Sequence, residues 1–237
     1  MNEKTLEAQW SAVADGYARG AAARAAMVPA TEKMLDLAAV APDSRVLDVG
    51  CGTGEQTLIA AHRVGATRHV LAIDIAAPMI DAAEKAAAAA GLRNISTRVC
   101  TVEALAGDGE AFDAAISRFV LMLVPDPVAI ARDVLAVLRP GSKFAAIVHG
   151  DPEKNPLNAI STDILARHGG KTVPRDAPGF FALAAPARLE SVFRDAGFTD
   201  IAVSVMPLVR RLESAAAAVT MIRAGYARAF SRRVNTL

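Results

Sequence analysis

The chain has 237 residues, of which 53% are apolar and 22% charged, and its 26 basic and 25 acidic residues leave a formal net charge of +1. This composition excludes a disordered protein, and no run of about 18 large apolar residues is present that could span a membrane. Because the basic residues form no long block, the charge pattern also excludes a site for the phosphate backbone of a nucleic acid. We therefore expect one globular domain whose partners include neither nucleic acid nor membrane.

The first forty residues are expected to be helical. Residues 1–30 are rich in alanine, the best helix former, and Pro29 is expected to end this run. A second helix is expected over 31–40, with Thr31 as its N-cap. The N-terminus lacks the basic and then apolar pattern of a signal peptide, and the two cysteines are not spaced like metal ligands. We therefore expect a cytoplasmic protein without a metal site.

From residue 41 onwards, short apolar segments alternate with longer helical ones. The predicted strands are 45–49, 69–73, 95–99, 112–117 and 143–148, and the predicted helices between them are 55–64, 78–90 and 128–138. Strands that are apolar throughout and joined by helical crossovers are typical of a parallel sheet covered on both faces. Because such crossovers are right-handed, the predicted fold class is α/β, with a doubly wound and mostly parallel sheet.

The last third of the chain departs from this alternation. Residues 150–185 are first polar and then rich in glycine and proline, with one short helix predicted over 157–168. Beyond them we predict a helix over 186–196, a strand over 198–206 and an alanine-rich helix over 214–230.

The stretch VLDVGCGTG, from Val46 to Gly54, is the most informative part of the sequence. An apolar strand runs into a loop with glycine at every second position, and a helix opens directly after it. Glycines are needed where the backbone turns with positive φ or lets a ligand approach closely. The first turn of the helix presents unpaired N–H groups and the positive end of its dipole. The stretch therefore predicts a site for a ligand with a carboxylate or a phosphate.

Asp74 follows the next predicted strand, twenty residues beyond Gly54. A carboxylate at this position can accept two hydrogen bonds from a ribose diol. A dinucleotide-binding fold also combines a glycine loop with an acidic residue after the next strand. Its G-x-G-x-x-G fingerprint, however, requires glycine at the position of Glu55. Because that carboxylate would repel a pyrophosphate, a nicotinamide-dependent oxidoreductase is the weaker alternative.

These motifs resemble the class I S-adenosylmethionine-dependent methyltransferases, and among them the small-molecule group related to the ubiquinone/menaquinone-biosynthesis methyltransferases. The resemblance covers residues 8–206 and includes, in order, VLDVGCGTGEQTL, AIDIAAPMI, AFDAAISRFVLMLVPDP and VLRPGSKFAAIV. Trp10 to Tyr17 is similar to the aromatic lid helix of that family. The resemblance implies a Rossmann-like fold and transfer of a methyl group from S-adenosylmethionine to a small or medium organic acceptor, by in-line displacement and with S-adenosylhomocysteine as product.

The resemblance also assigns roles to individual residues. The three glycines of the loop would line the methionine and ribose portions of the cofactor, Asp48 would orient the loop or meet the amino group, and Asp74 would hold both ribose hydroxyls. Ser117, Arg118 and Phe119 would lie beneath the sulfonium and face the substrate. The full set of expected cofactor-binding residues is Tyr17, Asp48, Gly50, Cys51, Gly52, Gly54, Gln56, Asp74, Ile75, Met79, Thr101, Val102, Glu103, Ser117, Arg118 and Phe119.

Under this resemblance the single domain, residues 1–237, has four parts. They are a helical lid (1–40), a cofactor-binding core (41–149), a substrate-side insertion (150–185) and a C-terminal helix–strand–helix segment (186–237). A general base is needed if the acceptor is a hydroxyl, phenol or amine, and His149, at the end of the last predicted sheet strand, is the candidate catalytic residue. The alternative is that His149 is an ordinary half-buried strand-end histidine.

Two departures from the family pattern stand out. The loop at the adenine edge usually reads Gly-Asp-Ala-Glu, whereas here it reads Cys-Thr-Val-Glu from Cys100 to Glu103. Exchanging a charged for a neutral acceptor would weaken binding by up to about 1 kcal/mol. The family's antiparallel seventh strand is also expected to be missing or atypical, because only a short polar segment follows Phe230. The alternative is that residues 207–212 take its place.

These departures keep a second function in view, an S-adenosyl-ligand-binding protein with little or no transferase activity. An open sheet edge favours pairing with another chain, so we also expect a homodimer.

Overall fold

The computed structural model describes residues 3–19, 25–107, 109, 111–169, 177–209 and 213–224. The α-helices described before the first strand are α1 (Glu3–Ser11), α2 (Ala14–Arg19) and α3 (Val28–Leu37). Strands and helices then alternate in the order β1 (Val46–Val49), α4 (Glu55–Val64), β2 (Val70–Asp74), α5 (Ala77–Ala89), β3 (Ile95–Val99), β4 (Phe112–Arg118), α6 (Pro127–Val137) and β5 (Leu138–Ile147). The remaining described helices are α7 (Pro156–Gly169), α8 (Pro186–Ala196) and α9 (Ala215–Ala224).

The five strands form one parallel sheet in the order β3-β2-β1-β4-β5. The predicted fold class is therefore confirmed. The chain moves outward from β1 to β3 and then returns to the other side of β1 with β4. In such a sheet a crevice forms at the carboxyl ends of the two strands where the order reverses, here β1 and β4.

Helices cover both faces of the sheet because successive strand residues point to opposite faces. Val46 of β1 packs with Met34 of α3 and Ala60 of α4 on one face. The next residue, Leu47, packs with Phe112 and with Val134 of α6 on the other face. This arrangement buries the central strands on both sides and explains why they are apolar throughout.

Two predictions for the N-terminal helices are wrong. Pro29 does not end a helix but lies in the first turn of α3, where its missing N–H leaves no hydrogen bond unmade. Met27, not Thr31, is the N-cap. Thr31 lies inside the helix, fully buried, and its Oγ1 donates to the carbonyl of Met27 at 3.2 Å.

The predicted strand over 198–206 is also wrong. Phe198 and Ile201 pack against the apolar cluster that includes Phe193 of α8, but residues 202–207 are exposed and pair with no strand. An apolar segment forms a strand only where another strand is available to pair with it, and in the described part of the chain this one has no such neighbour.

The outer edge of β5 has no paired strand among the described residues, so the family's seventh strand is missing there, as expected. The alternative prediction is that residues 207–212 pair with β5. Residues 207–209 form no strand, and 210–212 lie outside the described residues. Of the helix predicted over 214–230, α9 covers Ala215–Ala224, Ser214 directly precedes it, and 225–230 lie outside the described residues as well. β5 itself begins at Leu138 rather than at residue 143. None of the described helices has the length and apolar content needed to cross a bilayer.

Candidate active site

A cavity of about 340 Å³ opens at the carboxyl ends of β1, β2 and β4, where the sheet order predicts it. Helices α1 and α2 contribute Leu6, Trp10 and Tyr17 to its lining. The rings of Trp10 and Tyr17 meet edge to face, with their centroids 6.4 Å apart. The N-terminal segment thus forms one wall of the cavity, in the position expected for a lid.

The glycine loop is packed so tightly that side chains do not fit at two of its positions. Gly50 has φ +66°, and a Cβ there would lie 2.5 Å from Cγ2 of Val120. Gly54 has φ +88° and is the N-cap of α4, and a Cβ there would lie 3.1 Å from Cα of Ala83 in α5. Gly50 lines the cavity but Gly54 does not, and the absence of a side chain at Gly54 allows α4 and α5 to pack closely.

Asp74 connects this loop to β2. Its Oδ2 accepts from the backbone N–H of Gly52 at 3.0 Å, and its Oδ1 accepts from that of Ala76 at 3.0 Å. Burial raises the pKa of Asp74, although these backbone hydrogen bonds lower it in part. Both carboxylate oxygens are therefore held in a fixed plane at the cavity wall.

Asp48 lies beneath the loop and does not line the cavity. It is fully buried, and it accepts hydrogen bonds from Thr57 Oγ1 at 2.6 Å and from Gln56 Nε2 at 3.2 Å. Burial raises the pKa of Asp48 to about 6, against the opposing effect of these two hydrogen bonds. Of the two roles expected for Asp48, the contacts support orientation of the loop and of the first turn of α4.

Arg118, at the end of β4, is a buried cation in the cavity wall. Its Nη1 donates to Oγ1 of Thr31 at 2.8 Å, and its Nη2 lies 3.5 Å from Oε2 of Glu55. The preceding residue, Ser117, is fully buried and donates to the carbonyl of Val49 at 3.1 Å. Ser117 therefore holds β4 to β1, and it does not line the cavity.

Five other residues that are expected to bind the cofactor line the same cavity. They are Ile75, Met79, Thr101, Val102 and Glu103. Asp126 and Asp133 also line the cavity. Burial raises the pKa of Asp133, and the negative charges of Glu103 and Asp126 add to this effect while Arg132 opposes it. This end of the cavity is therefore acidic.

His149 does not line the cavity but contacts its wall. Its ring stacks on that of Phe119, with the centroids 4.5 Å apart and the planes at 21°. Its Nε2 lies 3.1 Å from Nδ2 of Asn158 in α7. Phe119 has φ +63°, a strained backbone conformation for a phenylalanine. Phe119 lines the cavity, and His149 contacts the cavity wall through this ring.

The two cysteines differ in accessibility. Cys51 is buried in the glycine loop, and burial raises the pKa of its thiol well above the usual range, with Asp48 and Asp74 adding to the effect. Cys100 is half-buried and lines the cavity. Within the described ranges, no group of three or more histidine, cysteine or acidic residues is arranged to hold a metal ion.

Residues 41–167 match a family model described as a methyltransferase domain. The chain belongs to this methyltransferase family. It is 32% identical to nocamycin O-methyltransferase of Saccharothrix syringae over 201 residues, which are 81% of this chain and 72% of the relative. It is 34% identical to a ubiquinone biosynthesis O-methyltransferase of Xanthomonas axonopodis pv. citri, over 65% of this chain and 62% of the relative.

A solved structure similar along most of the methyltransferase is that of a putative methyltransferase of Haloferax volcanii in complex with the Trm112 methyltransferase activator. The TM-score is 0.61 and the identity 16%, and the match covers 95% of this chain and 93% of the other. At this identity the likeness shows the fold alone.

As a member of this methyltransferase family, the protein uses S-adenosylmethionine as its methyl donor. The site fits it on two observations: Gly50 leaves no room for a side chain where the loop borders the cavity, and Asp74 presents a fixed carboxylate beside it. When bound, the cofactor supplies a methyl group already activated on a sulfonium. The protein must then align the acceptor and exclude water, and the N-terminal wall with Trp10 and Tyr17 is placed to do so.

Sequence reasoning misses several residues of the site. In the sequence, Thr31 indicates only a helix cap. Glu55 indicates only that the loop is not suited to a dinucleotide. Asp126 lies inside a motif that the resemblance includes, but an aspartate before a helix indicates only an N-cap. In the structure Asp126 is indeed the N-cap of α6 and accepts from the N–H of Ala129. Asp133 carries no signal in the sequence, because a single acidic residue on a helix is ordinary.

Proposed function

We propose that this methyltransferase methylates an oxygen atom of a small, largely apolar organic acceptor. The observation that supports the acceptor class is the apolar part of the cavity, where Leu6, Trp10, Phe119 and Met122 line the wall between the N-terminal helices and the end of β4. The choice of oxygen is supported by the relatives, two of which are named O-methyltransferases.

The proposed cofactor-binding residues are those expected from the sequence, with different tasks. Gly50, Gly52 and Asp74 would contact the ligand directly, since they line the cavity. Asp48, Gly54 and Ser117 would act by holding the loop and the strands, since they do not. The remaining proposed ligand contacts are Tyr17, Cys51, Gln56, Ile75, Met79, Thr101, Val102, Glu103, Arg118 and Phe119.

The test of this function is a transfer assay with S-adenosylmethionine carrying a labelled methyl group. The acceptor panel contains phenols, quinols and hydroxylated polyketides beside amines and thiols of similar size. We expect labelled product with hydroxyl acceptors only. Transfer to amines or thiols alone would overturn the choice of oxygen, and failure to bind S-adenosylhomocysteine at millimolar concentration would overturn the proposed site.

His149 remains the proposed general base for a hydroxyl acceptor. It does not line the cavity, and the proposal is supported by its place beyond the carboxyl end of β5 and by its stacking on Phe119, which does. His149→Gln tests it. If His149 is the base, the turnover rate of the variant is expected to fall by about 100-fold or more, and the acidic limb of the pH profile is expected to disappear. A smaller loss with an unchanged pH profile would mean that His149 supports Phe119 instead.

We also infer a cytoplasmic homodimer. Its support is the unpaired outer edge of β5 in the described chain and the exposed apolar segment that follows α8, in which Val205 and Val209 are each 76% exposed. The two free thiols fit a reducing compartment. A monomeric mass by light scattering at tens of micromolar would overturn the dimer.

A further inference from the structure

The charges around the cavity are strongly unequal. Among the described side chains that line it, Arg118 is the only basic one. The acidic ones are Glu55, Asp74, Glu103, Asp126 and Asp133. S-adenosylmethionine carries two positive groups, its sulfonium and its ammonium, and one negative group, its carboxylate. Among the described lining residues, Arg118 is therefore the only side chain that can act as counter-ion to that carboxylate.

The guanidinium of Arg118 is held in a way that leaves it able to bind a ligand. Its side chain is only 4% exposed, and Nη2 lies 3.5 Å from Oε2 of Glu55. This distance exceeds the range of about 2.7–2.9 Å that is typical of a charge-assisted hydrogen bond. Glu55 thus attracts Arg118 without a close hydrogen bond at this position. Of the five N–H donors of a guanidinium, the hydrogen bond to Thr31 uses one.

Thr31 determines where that guanidinium lies. A threonine hydroxyl has one proton, and here the proton is donated to the carbonyl of Met27 at 3.2 Å. The lone pairs of Oγ1 are therefore directed to other partners, and they accept from Nη1 of Arg118 at 2.8 Å. Because Thr31 is fully buried, no water can replace this acceptor if the hydroxyl is removed.

We propose that Arg118 binds the carboxylate of the S-adenosyl ligand and that Thr31 is the positioning residue that orients Arg118 for this contact. The proposal rests on the proposed cofactor site and adds a contact at its methionine end. It gives the buried hydroxyl of Thr31 a role beyond its hydrogen bond to the carbonyl of Met27.

The experiment compares two ligands that differ only in the carboxylate, S-adenosylmethionine and decarboxylated S-adenosylmethionine, by calorimetry. Thr31→Val keeps the shape of the side chain and removes the acceptor. We expect it to raise the Kd of S-adenosylmethionine about 10-fold and that of the decarboxylated ligand less than about twofold. Thr31→Ser, which restores the hydroxyl, is expected to return both values to within about twofold of the wild type.

Thr220→Val is the matched control. Thr220 donates to the carbonyl of Ala216 at 3.0 Å, the same bond to the residue four positions earlier, but it is exposed on α9. Its substitution is expected to change neither Kd. If Thr31→Val does not fold, as judged by circular dichroism, Arg118→Gln replaces it with the same expected selectivity between the ligands.

Equal losses for both ligands, or no loss for either, would overturn the proposal while leaving the proposed function intact. If the wild-type protein binds neither ligand, the cofactor site itself is wrong. The two failures are thus distinguished by the wild-type titration.

Discussion

The backbone N–H of Gly52 donates to Oδ2 of Asp74 at 3.0 Å, so the glycine loop after β1 and the acid at the end of β2 form one unit. The second oxygen of Asp74 is held by the N–H of Ala76 at the same distance. Hydrogen bonds to an ionised carboxylate are short and strong, and two of them from backbone groups fix its plane. The proposed ribose contact and the shape of the loop therefore depend on the same side chain.

Asp74→Ala is expected to raise the Kd of S-adenosylhomocysteine by about 100-fold or more. The substitution would remove the two charged hydrogen bonds proposed between Asp74 and the ribose, each worth about 1.5–3 kcal/mol, and it also releases the N–H of Gly52. Calorimetry with the purified variant measures the effect.

Asp151→Ala is the control for this measurement. Asp151 accepts from the N–H of Glu153, two residues ahead, at 2.9 Å, as Asp74 does from that of Ala76. Asp151 is exposed and lies outside the cavity lining, so its loss is expected to leave the Kd unchanged. Binding by Asp74→Ala within fivefold of the wild type would contradict the assignment.

The parts of the fold that sequence predicted are those set by neighbouring residues. The strand before Gly50, the helix from Glu55 and the position of Asp74 all follow from periodicity and glycine spacing within one βαβ unit. The Thr31–Arg118 contact joins residues 87 positions apart, and nothing local to either one indicates the other. The prediction for residues 198–206 is wrong for the opposite reason, because a pattern typical of a strand has no partner in the described chain.

Gly54→Ala is expected to destabilise the protein more than Gly91→Ala. Both glycines have positive φ, +88° and +68°, and Gly91 closes the end of α5 in a left-handed turn, with the N–H of Leu92 donating to the carbonyl of Ala87. This backbone conformation costs an alanine about 1–2 kcal/mol. A Cβ at Gly54 also meets Cα of Ala83 at 3.1 Å, whereas nothing lies within 4 Å of one at Gly91. We expect a further loss of about 1–3 kcal/mol at Gly54 from this crowding. Urea unfolding measures both, and equal losses would contradict the packing argument.

The stability contributed by Asp48 is expected to fall with rising pH. Burial raises the pKa of Asp48 from 3.8 to about 6, so the folded protein holds this proton more tightly than the unfolded chain does. The contribution is therefore complete below pH 3.8 and is lost as the pH rises through 6.

Asp48→Asn, which does not titrate, isolates this contribution from those of other carboxylates. The free energy of unfolding of the wild type relative to Asp48→Asn is expected to fall by about 2 kcal/mol between roughly pH 4.5 and 7.5. Urea titrations at intervals across this range measure the difference. A difference that does not change with pH would show that Asp48 has the same pKa in both states.

Cys100 is expected to react with iodoacetamide much faster than Cys51 in the folded protein. Both cysteines line the cavity, but Cys51 is buried and Cys100 only half-buried. The thiolate is the reactive form, and burial raises the pKa of Cys51 well above the usual range. Peptide mass spectrometry after a short exposure near pH 8 identifies the labelled thiol. S-adenosylhomocysteine is expected to slow labelling, and Cys100→Ser to abolish the fast phase. Equal rates at the two thiols would show that the glycine loop opens on the timescale of the reaction.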